Sequence, residues 1–66
     1  MNYGGSLKEA RKSRGVSQNE LARRTGIPQP YISRIESGRI SPSLDYMDRL
    51  LGAIGYAITF KRIEEK

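Results

Sequence analysis

The 66-residue chain contains neither cysteine nor histidine. No disulfide can staple so small a fold, and no conventional zinc site can be built, which leaves tight helix packing or self-association to stabilise it. Nor is there a clustered carboxylate pair or a phosphate-cradling glycine loop, so no enzymatic activity and no cofactor are expected. No apolar run is long enough to span a bilayer or form the core of a signal peptide. A cysteine-free chain also suits a reducing compartment, so the expectation is a cytoplasmic protein without a membrane partner. Chains of this length bury only about 60% of their unfolded surface, and the core is therefore small.

Acidic residues are scarce in one half of the chain. Residues 1–39 hold eight basic side chains (Lys8, Arg11, Lys12, Arg14, Arg23, Arg24, Arg34 and Arg39) against three acids (Glu9, Glu20 and Glu36). Residues 40–66 balance four bases with four acids, so the whole formal charge of +5 belongs to the N-terminal part. Such asymmetry points to a polyanionic partner there, nucleic acid first, with a merely solvated basic face as the other reading.

Capping signals divide the chain into helices. Ser6-Leu7-Lys8-Glu9 is an S-x-x-E box that predicts a helix from Leu7 to about Gly15. Ser17-Gln18-Asn19-Glu20 repeats the pattern and starts a second helix, which Gly26 ends. Pro28 and Pro30 are tolerated in a first helical turn, so they mark the start of a third helix of about ten residues, with Ile32 and Ile35 inward and Gly38 as its stop. Ser41-Pro42 caps a fourth, whose Leu44, Met47, Leu51 and Ile54 form one apolar stripe ending at Gly55. Beyond it Tyr56, Ile58 and Phe60 alternate with Ala57, Thr59 and Lys61, the period of a strand. The expected fold is mainly α: four helices, or five short ones, in a domain over 6–55, then one β-strand over 56–63.

Helix, tight glycine turn, helix is the helix-turn-helix pattern. Ala22 must be small where the second and third helices cross, and Ile27 plugs the core after the turn. The outward face of the third helix is then Gln29, Pro30, Ser33 and Arg34. The stretch SQNELARRTGIPQPYISRIESGRISPSL resembles the Cro/C1-type (XRE-like) helix-turn-helix family of phage and bacterial repressors. It carries S-Q-x-E-L-A, T-G-I, I-S-R-I-E-x-G and S-P-S-L in that family's order and spacing. Pro28 stands where the family usually has Ser or Thr, and Pro30 where a side chain often reads a base by hydrogen bond.

Chemistry assigns roles along this face. Arginine pairs bidentately with guanine and glutamine with adenine in the major groove, so Arg34 and Gln29 are the expected base readers, with Pro30 against a thymine methyl and Ser33 beside them. The resemblance implies a phosphate contact for Gln18, next to Gln29, and backbone contacts for Ser37 and Arg39, which position without reading sequence. Ordinary solvated side chains are the other reading for Gln18 and Arg39. Tyr31 either meets the DNA backbone or covers the turn. In the family the residues matching Arg11 and Glu36 form a partly buried ion pair tying helix one to helix three; a phosphate contact is the other reading of Arg11.

The expected function is sequence-specific binding to a double-stranded operator as a transcriptional repressor. A protein-interaction adaptor built on the same helices is the competing class. RNA fits less well, since A-form major grooves exclude a reading helix and no stacking aromatics are arranged for single strands. The ending LLGAIGYAITFKRI is similar to that of HipB-like antitoxins, whose strand pairs with that of a second subunit. This implies a homodimer joined through Tyr56, Ile58 and Phe60, with Leu50 and Leu51 at the seam, on a pseudo-palindromic operator. It also implies a kinase-like toxin as a further partner; a free-standing phage or bacterial repressor is the alternative.

Overall fold

Helices α1 (Tyr3–Ser13), α2 (Gln18–Thr25), α3 (Gln29–Glu36) and α4 (Leu44–Gly52) follow one another in the structure, a computed structural model that describes residues 3–59. Among the described residues there is no strand. Residues 56–59 have no regular structure, and the remainder of the expected strand, Phe60 included, lies outside the described residues.

The first helix starts four residues earlier than its S-x-x-E box predicts, which places Ser6 and Glu9 inside it. Gly4 explains the difference. It is buried, and a β-carbon there would lie 2.0 Å from the carbonyl oxygen of Ile35, so the missing side chain is what lets the first turn of α1 lie on the end of α3. A tertiary contact extends the helix past its local stop signal.

The second helix begins as its sequence predicts, with Ser17 Oγ accepting from the Glu20 amide at 3.0 Å. The reciprocal half of the box does not form. Glu20 instead receives both Arg23 and Arg24 on its carboxylate, at i+3 and i+4. Gly26, at φ 76°, ends the helix in the left-handed conformation that costs glycine least, and its amide donates to the Ala22 carbonyl.

Pro28 and Pro30 do mark the start of α3, which is eight residues long and shorter than expected. The fourth helix is capped by Ser43, whose Oγ accepts from the Tyr46 amide at 3.1 Å, and not by Ser41-Pro42. It stops at Gly52, before Gly55. Its buried stripe also differs: Met47, Leu50 and Ile54 face the core, Leu51 is half-buried, and Leu44 is 53% exposed. Leu50 is fully enclosed by its own chain, which leaves it no surface for the expected seam.

The core gathers Leu7 from α1, Leu21 from α2, Ile32 and Ile35 from α3, and Met47 and Leu50 from α4, with Val16, Ile27 and Ile54 closing it from the connections. Each fully buried aliphatic side chain contributes about 1.5–3 kcal/mol, so few can be spared in a domain of this size. Two arginines tie α2 to α4 reciprocally. Arg24 donates to the Ala53 carbonyl at 3.2 Å and Arg49 to the Thr25 carbonyl at 3.1 Å, so each helix supplies a cation to the C-terminal end of the other.

Candidate nucleic-acid interface

The turn between α2 and α3 is built by local chemistry. The Thr25 hydroxyl donates to the Leu21 carbonyl at 2.8 Å and accepts from the Ile27 amide at 3.1 Å, satisfying backbone groups that the end of α2 leaves open. Ile27, 2% exposed, then drops into the core. With Ile32 and Ile35 both fully buried, one side of α3 is fixed and the other faces outward.

On that outer side Pro30 and Arg34 are exposed, while Gln29 and Ser33 are partly buried at its margins. Ser37 Oγ donates to the Arg34 carbonyl at 3.1 Å, and the Arg39 amide reaches the same carbonyl at 2.9 Å, so the chain folds back over the end of α3. Both Ser37 and Arg39 are exposed just past the helix. Tyr31 meets Tyr46 edge to face, with ring centres 5.4 Å apart, and Arg49 lies over the Tyr46 ring. Tyr31 therefore has a packing role toward α4.

Beneath the face runs a continuous polar chain. Arg11 clasps Glu36 with Nε at 2.8 Å from Oε2 and Nη2 at 2.9 Å from Oε1, while its Nη1 donates to the Val16 carbonyl at 2.8 Å. The two side chains are only 9% and 3% exposed. Gln18 Nε2 donates to Glu36 Oε1 at 3.0 Å, and Gln29 Nε2 donates to Gln18 Oε1 at 2.7 Å. Burial works against the Glu36 charge, but hydrogen bonds from Arg11 and Gln18 and the nearby charges of Arg11 and Lys8 outweigh it and hold the pKa below its ordinary value. The hydrogen bond to Glu36 raises that of Arg11.

Gln18, Gln29, Arg11 and Glu36 thus form one connected group, and Pro30 and Arg34 stand outside it on the open surface. The bond from Gln18 to Glu36 is not visible in the sequence, although Gln29 and Glu36 are two helical turns apart on one side of α3. The contacts of Thr25, Arg24 and Arg49 have no signal in the sequence beyond the position of Arg24 and Thr25 just before a stop glycine. Among the described residues no cluster of acidic side chains could hold a metal ion, and no helix is long and apolar enough to cross a membrane.

A family model described as Helix-turn-helix matches residues 7–61, spanning α1 through α4 and the start of the C-terminal segment. The chain belongs to the helix-turn-helix family. It is 43% identical over 49 residues to an uncharacterized HTH-type transcriptional regulator of Methanothermobacter thermautotrophicus, covering 74% of this chain and 71% of that protein. It is 32% identical to the immunity repressor protein of Bacillus phage phi105, over 89% of this chain but 41% of the repressor. The ImmF control region 10 kDa protein of the same phage is 31% identical, with 94% and 69% covered. Against several relatives, then, the chain spans well under two thirds of their length. The two helices of the helix-turn-helix unit are α2 and α3.

Proposed function

We propose that the chain is a sequence-specific double-stranded DNA-binding transcriptional repressor that acts as a homodimer on a pseudo-palindromic operator. One observation carries the reading: α3 is fixed from behind by two fully buried isoleucines and presents Pro30 and Arg34 to solvent, with Gln29 tethered at its edge. A rigid helix with exposed reading groups is what major-groove recognition needs. Arg34 and Gln29 read bases, Pro30 meets a thymine methyl and Ser33 lies alongside. Gln18, Ser37 and Arg39 hold the DNA backbone, with Tyr31 contributing from the base of the helix.

The likeness to the phage immunity repressor favours a free-standing repressor. The antitoxin reading rests on the likeness of the C-terminal ending and requires a kinase-like toxin partner, which a pull-down from the native host would recover. The adaptor reading predicts no operator at all. Competition of a selected site against random duplex at increasing salt separates these classes. In that assay Arg34→Ala should lose about 1–3 kcal/mol on the selected site with little change on random DNA. Arg39→Ala should weaken both and lower the salt slope by about one. Equal loss on every sequence in Arg34→Ala would remove the base-reading role.

A further inference from the structure

The hydrogen-bond chain running inward from Gln29 has a direction, and the direction starts at Glu36. A carboxylate can only accept, so Glu36 Oε1 requires the NH2 group of Gln18, which lies 3.0 Å away. With its NH2 group turned to Glu36, Gln18 presents its Oε1 to α3, where it accepts a hydrogen bond from Gln29 Nε2 at 2.7 Å. Gln29 is left with one N–H and its carbonyl oxygen for the groove. Adenine offers a donor at N6 and an acceptor at N7, which this amide matches; guanine offers two acceptors, O6 and N7, and would need two N–H groups.

We propose that Glu36 is a positioning residue for base choice: acting through Gln18, it sets the Gln29 amide to the polarity that selects adenine over guanine. This rests on the reading of α3 as the base-reading helix. Reversing the chain would put the Gln18 oxygen against the Glu36 carboxylate, two acceptors facing each other beside a side chain only 3% exposed. The Arg11 fork keeps that carboxylate in place and ionised, so the polarity is fixed at its inner end.

The test is selection from a randomised duplex library, read by sequencing, for the wild type, Gln29→Ala, Gln18→Lys and Glu36→Gln, with thermal melts in parallel. Gln29→Ala identifies the operator position that Gln29 faces. There the wild type should favour adenine over guanine by roughly tenfold to a hundredfold. Gln18→Lys places an ammonium beside Glu36, which preserves that contact and the fold. An ammonium can only donate, so it turns the Gln29 oxygen inward and leaves two N–H groups outward. The preference at that position should move from adenine to guanine while the rest of the site is unchanged. Glu36→Gln should bring the ratio toward unity.

A Gln18→Lys protein that keeps the wild-type adenine preference would overturn the relay. So would a wild-type preference other than adenine at the position mapped by Gln29→Ala, or a Gln29→Ala protein that changes no position. If the wild type selects no sequence whatever, the repressor reading falls and the relay falls with it. Selection that Gln18→Lys leaves untouched removes the relay alone.

Discussion

At Glu36 Oε1 the bonds from Arg11 and Gln18 converge, at 2.9 and 3.0 Å, so one atom ties α1 to α3 and also anchors the amide chain beneath the outer face. Removing one partner of a buried pair leaves an uncompensated charge and costs about 3–5 kcal/mol, against the roughly 3–5 kcal/mol that a single core of this size supplies. Arg11→Ala should therefore unfold much of the population at room temperature, seen as loss of helical circular dichroism; an unchanged melting temperature would show that the pair contributes little. The same carboxylate predicts an acid sensitivity. Because the folded pKa of Glu36 lies below its ordinary 4.5, its contribution is present above that value and is lost as pH falls through the depressed folded value. Thermal melts from about pH 6 downward should show stability falling below about pH 4.5, with a shallower fall in Glu36→Gln. Glu20, held at about 2 by Arg23 and Arg24, shifts in the same sense, but this surface trio is screened by solvent and adds little. The pairing of Arg11 with Glu36 was legible only through the family's pattern, since 25 residues separate them and no local period links them. The choice of Leu50 over Leu51 for the core was not legible, because both positions complete an apolar stripe with Met47 and Ile54 and lie only about 100° apart around the helix. The position of the neighbouring helices decided between them.

Among the elements, local signals bounded α2 correctly, missed the α4 cap by two residues, and failed at the start of α1, where another helix intervenes. Ser17 and Gly26 bound α2 as their types predict, since both lie at exposed ends. The box at Ser6 was overridden because Gly4 gives α1 a further turn against Ile35, a contact written in the absence of a side chain and so invisible to capping rules. Opposite outcomes follow for two helical glycines. Alanine in a helix gains up to about 1 kcal/mol over glycine, and at Gly52, where an added β-carbon meets nothing within 4 Å, Gly52→Ala should raise the melting temperature. At Gly4 the added carbon collides with backbone at 2.0 Å, and overpacking of this kind costs about 1–3 kcal/mol, more than the helix gain. Gly4→Ala should thus lower the melting temperature. A rise in both variants would mean that the first turn of α1 does not lie on α3.

For the molecule as a whole, the segment after α4 has an observed task, packing within the chain, and a proposed one, pairing with a second copy. The Tyr56 amide donates to the Leu51 carbonyl at 2.9 Å, its hydroxyl shares a hydrogen bond with Ser13 Oγ at 3.1 Å, and Arg14 lies over its ring. The Tyr56 side chain therefore rests on the end of α1. Ile58 borders α4 beside Leu44, Asp45 and Asp48 and is partly covered by the core. These contacts belong to the subunit's own fold, whereas the proposed pairing between subunits depends on the alternating residues that follow, Phe60 among them. Truncation after Ile58 separates the two tasks, where removal from Tyr56 onward would lose both. Two identical strands related by a two-fold axis meet antiparallel, and that symmetry would set two copies of α3 about 34–36 Å apart, one helical turn of DNA. The protein ending at Ile58 should keep nearly the full melting temperature at low concentration, sediment as a monomer, and bind a palindrome no more tightly than two independent half-sites. A truncated protein that still sediments as a dimer at micromolar concentration would move the interface to the exposed side of α4, where Leu44 is 53% exposed and Leu51 half-buried. In that event Leu44→Lys, which alters no core contact, should be the substitution that yields the monomer.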